Sequence, residues 1–348
     1  MPDLIAQTLS SVTLGTPVAC DAITMFPLVG PRTTEQEPSY LTLDQALACP
    51  EPGRGGLGQT EITEISAQGS VPELRVINKG AKPVLILDGE ELVGAKQNRV
   101  VNLTILVAAH TTVTIPVSCV EAGRWRARSR AFAASPRTQY AAGRAKRMSQ
   151  VTESMKFSGT RHSDQAEVWA DIAEKSQRLG ADSPTGAMEE IFIRHHDFAE
   201  RCVDALRPTA CQVGALFLIN GTVVGFDLFD RAITLRRLLP KLVRSVAMDA
   251  VDVVDVGDVA DVADVARRPG LQAGRLSPDL LTKVAEHFLE RTCAADVHAD
   301  HAVGMGRDLR LVAPAISGAA LEAGAVLVHL SAFHVSPTGG DPEGGRAS

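Results

Sequence analysis

The sequence predicts an α+β protein, with a strand-rich N-terminal half (sandwich- or barrel-like) followed by a helical and mixed α/β C-terminal half. Three observations predict it. Residues 11–120 break into short apolar or alternating runs punctuated by Gly, Pro, Asn and His, the pattern of closely spaced strands. After Trp125 the apolar period lengthens to helical spacing. Strand-like runs then return from Gln212 and again near the end of the chain.

In order, VTLGTPVACDAITMFPLVG, TEITEISAQ, PELRVINKG, PVLILDGEEL, RVVNLTILV and TTVTIPVSCV read as strands, with TLDQALA as a short helix behind a Thr cap. SPRTQYAAGRAKRMSQVTESMKF and SDQAEVWADIAEKSQRLG read as helices, the second capped by Ser163. TGAMEEIFIRHHDFAERCVDAL reads as one further helix. Asn220-Gly221 between two apolar runs predicts a hairpin. ITLRRLLPKLVRSVAMDAV reads as helical, with Pro240 expected at a break or a first turn. SPDLLTKVAEHFLERTC is amphipathic, with Ser277 as cap and Pro278 at its first position. DLRLVAPA and AVLVHLSAF close the chain as strands.

This divides the chain into a β-rich region, residues 1–125, that carries the site motifs, and a helical and mixed region, residues 126–335, packed against it. Within the latter, residues 249–268 repeat Asp at every third position among Val and Ala. They lack the Gly turn and terminal Glu of a calcium loop and read as a low-complexity insertion. Residues 336–348 read as a disordered tail.

Composition bounds the function. The 348 residues are 45% hydrophobic and 22% charged, ordinary values for a globular chain. A net charge of −6 argues against general coating of nucleic acid. The N-terminus lacks a basic start before an apolar core, and no apolar run reaches about 18 residues. A cytoplasmic protein without a membrane partner is therefore expected. The six cysteines are scattered with no CxxC pair, so reduced thiols are expected rather than a disulfide framework or a zinc knuckle. His298 and His301, near Asp296 and Asp300, fall at an expected helix end and read as solvated, and His329 in VLVHLSAF reads as a satisfied core histidine. No metal site is predicted.

The chemistry concentrates in LILDGEELVGAKQNRVVN and IPVSCVEAGRW. Glu90 and Glu91 point in opposite directions if extended, so one is expected to face inward. Gln97, Asn98 and Arg99 offer amide and guanidinium donors from one loop. Cys119 and Glu121 share a strand face with Val117, ahead of Arg124 and Trp125. No local His activates Cys119, which favours a buried structural thiol. Two carboxylates from separate strands, Glu91 and Glu121, are the minimum for glycosidic hydrolysis. From Arg124 to Arg147 the chain carries eight basic residues and no acidic one, a footprint for a phosphorylated ligand or polyanion, or a solvated basic face.

At DGEELVGAKQNR and IPVSCVEAGRW, with DQAEVW, QVGALFLINGTVVGFDLFD, GMGRDLR and VHLSAF further on, the chain resembles a bacterial family named for its association with ADP-ribosylglycohydrolases and rhodanese-phosphatases. The resemblance runs from about Leu85 onward. It implies a role in nucleotide or ADP-ribose-linked metabolism. The expected function is therefore binding, and hydrolysis as a further step, of a phosphate-bearing nucleotide-like ligand. Glu91 and Glu121 stand as acid/base candidates, Glu90, Gln97, Asn98, Arg99, Cys119 and Arg124 as ligand contacts, and Trp125 as a stacking wall. The competing expectation is a non-catalytic sensor or interaction module whose basic segment docks a partner or nucleic acid.

Overall fold

The computed structural model describes residues 2–48, 59–66, 68–255 and 277–336. Among these, the eight α-helices together and the eighteen strands together each hold 34% of the described residues, an α+β fold with strands at both ends and helices between. The expected tail and most of the Asp/Val repeat lie outside the described residues.

The N-terminal strands form a six-stranded and a three-stranded sheet that close on a core including Leu43, Ile62, Val76, Ile86, Leu92, Val101, Ile105 and Ile115. The third sheet has nine strands and joins both ends of the chain. The strand Ile23–Val29 pairs with Gln212–Ile219, which leads through Thr222–Phe229 to Val326–His334 and three further strands. Its central strands are largely apolar because both faces are covered, whereas the edge strand Asp296–His301 is polar and exposed. Met25, Ala215 and Phe217 face the helix Ala232–Asp255, whereas the alternating Phe26, Leu216 and Leu218 face the helices Pro2–Ser10 and Pro278–Cys293.

Several local expectations hold. Asn220 and Gly221 take positive φ in a two-residue hairpin. Ser277 caps the helix after it by accepting from the Leu280 amide. Others are corrected. FAASPRT is a strand paired with Glu90–Gly94, with Pro136 inside its register shift where no ladder N–H is needed, and the helix starts only at Ala141. Asp164 rather than Ser163 caps the helix Gln165–Arg178, because the Ser163 hydroxyl is taken by Ser118 at 2.6 Å. His195 splits the next helix into Glu189–Arg194 and His196–Ala205. The helix Ala232–Asp255 runs through Pro240 and continues to Asp255. Asp249 and Asp252, read as the start of the repeat, are fastened by Lys175 at 2.8 and 2.9 Å. His298 and His301 lie on the exposed strand Asp296–His301 and not at a helix end.

Candidate functional site

The two sequence motifs meet. The strand Thr111–Cys119 pairs with Arg99–Val101, placing Cys119 opposite Arg99, so the KQNR loop and the VEAGRW turn leave the sheet side by side. Glu121 fills the space between them. Arg124 grips its carboxylate with two nitrogens, Nε to Oε1 at 2.8 Å and Nη2 to Oε2 at 2.6 Å. The Asn98 amide N–H adds 3.1 Å to Oε2 and the Thr185 hydroxyl 3.0 Å to Oε1. Gln97 donates to the Glu121 carbonyl at 3.0 Å. Burial pushes the Glu121 pKa up, but Arg124, the Asn98 N–H and Thr185 together hold it below the usual value of 4.5. The Gln97 side chain and the Asn98 N–H of this loop thus close on protein.

Arg99 is fully buried beside Cys119, donates to the Gln97 side chain at 2.9 Å and lies 5.8 Å from the Trp125 ring centre. Its Nε and Nη2 find no partner among the described residues. Cys119 is sealed, and burial pushes its thiol up, which agrees with a structural thiol rather than a nucleophile. Trp125 is 48% exposed at the mouth of this cluster. Arg126, Arg128 and Arg130 are exposed beyond it, whereas Arg137, Arg144 and Arg147 from the same basic run turn inward onto carboxylates.

DGEE distributes its charges differently from the simple alternation expected. Glu90 and Glu91 do point apart, yet both are buried, because protein covers both faces of their strand. Glu90 accepts from the Leu87 amide at 2.8 Å and from Lys241 at 2.6 Å. Glu91 accepts from Arg137 at 2.5 Å, and Arg137 also reaches Glu189, which Asn98 contacts at 3.4 Å. Glu91 Oε1 is unpartnered among the described residues, and burial raises its pKa against the pull of Arg137. Glu91 and Glu121 thus belong to one connected network, but each is enclosed and held by arginine.

Asp88, just before them, opens a second network. Gly89, at φ +81, brings the backbone close enough to Arg144 that an added Cβ would lie 2.9 Å from its side chain. Arg144 and Arg147, one turn apart on the helix Ala141–Ser158, donate to Asp88 at 3.3 and 2.5 Å. Arg144 also holds Asp227 with two nitrogens at 2.7 and 3.0 Å. Burial pushes the Asp227 pKa up, but Arg144 and His329 bring it far below the carboxylate range. His329 lies 3.0 Å from Asp227 through Nε2 and 2.8 Å from the Thr104 hydroxyl through Nδ1, its ring stacked on Phe229. Because ionised Asp227 only accepts, Nε2 of His329 donates to it.

Here the molecule opens. Two cavities share Arg310 in their walls. The inner one, about 10 Å³, is lined by Thr104, Asp308, Arg310 and His329 among others. The outer one, about 190 Å³, is lined by Thr152, Met155, Lys156, His298, Ala299, Asp300 and Arg310. Arg310 is 2% exposed, bonds Asp308 at 2.7 Å, and its Nε has no partner among the described residues. The sequence reading missed Thr104, Asp227 and Arg310, and took His329 only as a core residue. The available signal was a charged or polar side chain set inside otherwise apolar strands such as GFDLFD and VLVHL.

The family model for the ARG and Rhodanese-Phosphatase-superfamily-associated Protein domain, ARPP-1, matches residues 11–333. The chain belongs to the ARPP-1 family. Its match reaches back through the first hairpin, so the ARPP-1 domain includes the N-terminal strands that complete the nine-stranded sheet. The family's name places it in the company of ADP-ribose-related enzymes. No curated protein and no solved structure matches the chain. No helix among the described residues is long and apolar enough to cross a membrane.

Proposed function

We propose that this ARPP-1 chain binds a phosphate-bearing, nucleotide-like ligand of ADP-ribose-linked metabolism in the cavity between the helix Ala141–Ser158 and the strands bearing His298 and Arg310. Arg310 carries the reading. A buried guanidinium with an unpaired N–H edge at a cavity wall is costly unless something accepts from it. Lys156 and His298 at the mouth add donors of the same kind. The family context favours ADP-ribose or a relative of it as the phosphate bearer. Glu121, Gln97, Asn98 and Arg124 then serve as the scaffold that fixes the neighbouring sheet.

A second reading, hydrolysis, is favoured by the Thr104–His329–Asp227 relay. Its order is that of a hydroxyl, a base and an orienting carboxylate, and it reaches the cavity wall, unlike Glu91 and Glu121. Thermal-shift measurements with ADP-ribose, NAD, AMP and inorganic phosphate test binding. The expected result is stabilisation by at least one of these, lost in Lys156→Ala and Arg310→Ala and retained in Glu121→Gln. Chromatographic assay of ADP-ribose turnover tests hydrolysis, with Thr104→Val expected to abolish turnover and keep the shift. Absence of any shift, with salt-sensitive retention on RNA that needs Arg126, Arg128 and Arg130, would overturn the reading in favour of the interaction module.

A further inference from the structure

Two thiols that the sequence keeps far apart meet at the other end of the nine-stranded sheet. The strands Val18–Cys20 and Ile23–Val29 are joined through Asp21 and Ala22, with Cys20 paired to Ile23. So short a hairpin requires positive φ, and Asp21 takes it at 51°, a conformation Asp tolerates better than most residues. This turn brings the Asp21 carboxylate to 3.7 Å from the Cys20 sulfur. Cys202, 182 residues away on the helix His196–Ala205, places its own sulfur 3.2 Å from that of Cys20. The three donor atoms lie within 4.8 Å of one another.

We propose that Cys20, Cys202 and Asp21 form a binding site for a thiophilic divalent cation of the Zn²⁺ class, with solvent completing the coordination shell. Two sulfurs and a carboxylate are the donor set that borderline-soft Zn²⁺ takes and that Mg²⁺ or Ca²⁺ does not. Burial is graded across the cluster, from enclosed Cys202 through half-exposed Cys20 to exposed Asp21. A cation therefore has an entry side and a remaining position that faces water. Two thiolates on a tetrahedral Zn²⁺ stand about 3.8 Å apart, so the sulfurs need part by only about half an ångström. Closure to a disulfide at about 2.05 Å asks for twice that movement in the opposite sense. Binding replaces two S–H protons, which leave to solvent, and involves no change of oxidation state. The bound cation ties the first hairpin to the helix that carries Cys202.

The test uses the full chain, reduced and stripped of metal. Co²⁺ titration is expected to give a thiolate-to-metal charge-transfer band at one equivalent, abolished by added Zn²⁺ and missing from Cys20→Ser/Cys202→Ser. Zn²⁺ is expected to raise the melting temperature of the wild type and leave that of the double variant unmoved. Asp21→Asn, a change at an exposed side chain, is expected to weaken Co²⁺ binding at least tenfold with an unchanged circular dichroism spectrum. Three results overturn the proposal. They are no band in the reduced wild type, a band of equal strength in the double variant (which retains Cys49, Cys119, Cys211 and Cys293), or a Cys20–Cys202 cross-link in non-reducing mass spectrometry of protein purified without oxidant.

Discussion

Glu121 and Asp227 are both buried carboxylates held by two nitrogens of one arginine, yet their surroundings differ. Around Glu121 the acceptors are filled. Each oxygen takes two donors, from Arg124, Asn98 and Thr185, and Arg124 also donates to the carbonyls of Gly94 and Ala95. From there the contacts run through Asn98 to Glu189, Arg137 and Glu91, and the exposed Arg128 stands 3.9 Å from Oε1. Around Asp227 they continue outward, through His329 to Thr104 and the cavity wall at Arg310. Equal burial and equal pairing therefore do not make equal functional candidates. What distinguishes them is whether the hydrogen-bond chain leads to the cavity that Arg310 lines.

Breaking the second network gives the largest expected effect. Asp227→Asn leaves Arg144 with Asp88 alone and strips His329 of its carboxylate. The expected loss is about 3–5 kcal/mol, read from urea unfolding. Glu121→Ala should cost less, about 1.5–3 kcal/mol, because Arg124 keeps its carbonyl partners. If the two losses come out in the reverse order, the network around Glu121, and not that around Asp227, is the main strut of the fold.

The pH dependence of the two sequence-predicted glutamates should then differ in sign. Glu121 has a depressed folded pKa, so its stabilisation is present above its unfolded value near 4.5 and is lost as the pH falls through the lower folded value. Glu91 has a raised folded pKa, so its contribution is greatest below 4.5 and declines as the pH rises through the higher folded value. Relative to Glu121→Gln, wild-type stability should rise with pH across the acid range. Relative to Glu91→Gln it should fall. Denaturation curves at several pH values check this, and parallel slopes would show that both groups share one environment. The smallest effect belongs to Arg126, Arg128 and Arg130. They are exposed, and replacing all three by Ser should change stability by no more than about 0.5 kcal/mol, measured by the same unfolding curves.

Much of this was legible in the chain itself. DGEEL and SCVE announced a convergence of polar groups on strands, and Asn220-Gly221 and Ser277-Pro278 set a turn and a helix start, because those signals act over a few residues. The strand FAASPRT escaped notice because its pairing with Glu90–Gly94 overrides a local pattern that also suits a helix start. Ser163 lost the cap to Asp164 because a distant serine claimed its hydroxyl. The path from Asp88 to Arg310 was invisible for a similar reason. Its members, Asp88, Thr104, Arg144 with Arg147, Asp227, Arg310 and His329, come from six separate segments that only the fold brings together.

The sequence by itself determined the α+β class, the alternation that sends neighbouring strand residues to opposite faces, the ARPP-1 resemblance and the place where charge is concentrated. These follow from local periodicity and composition, which fix backbone preference and which residues seek burial. Only the tertiary structure decided that both Glu90 and Glu91 are enclosed, that the arginines of one basic run divide between solvent and core, and that the opening lies beside His329 and Arg310. Those outcomes depend on which surfaces cover a strand from above and below. They depend too on which distant carboxylate meets each guanidinium, and no spacing along the chain encodes either.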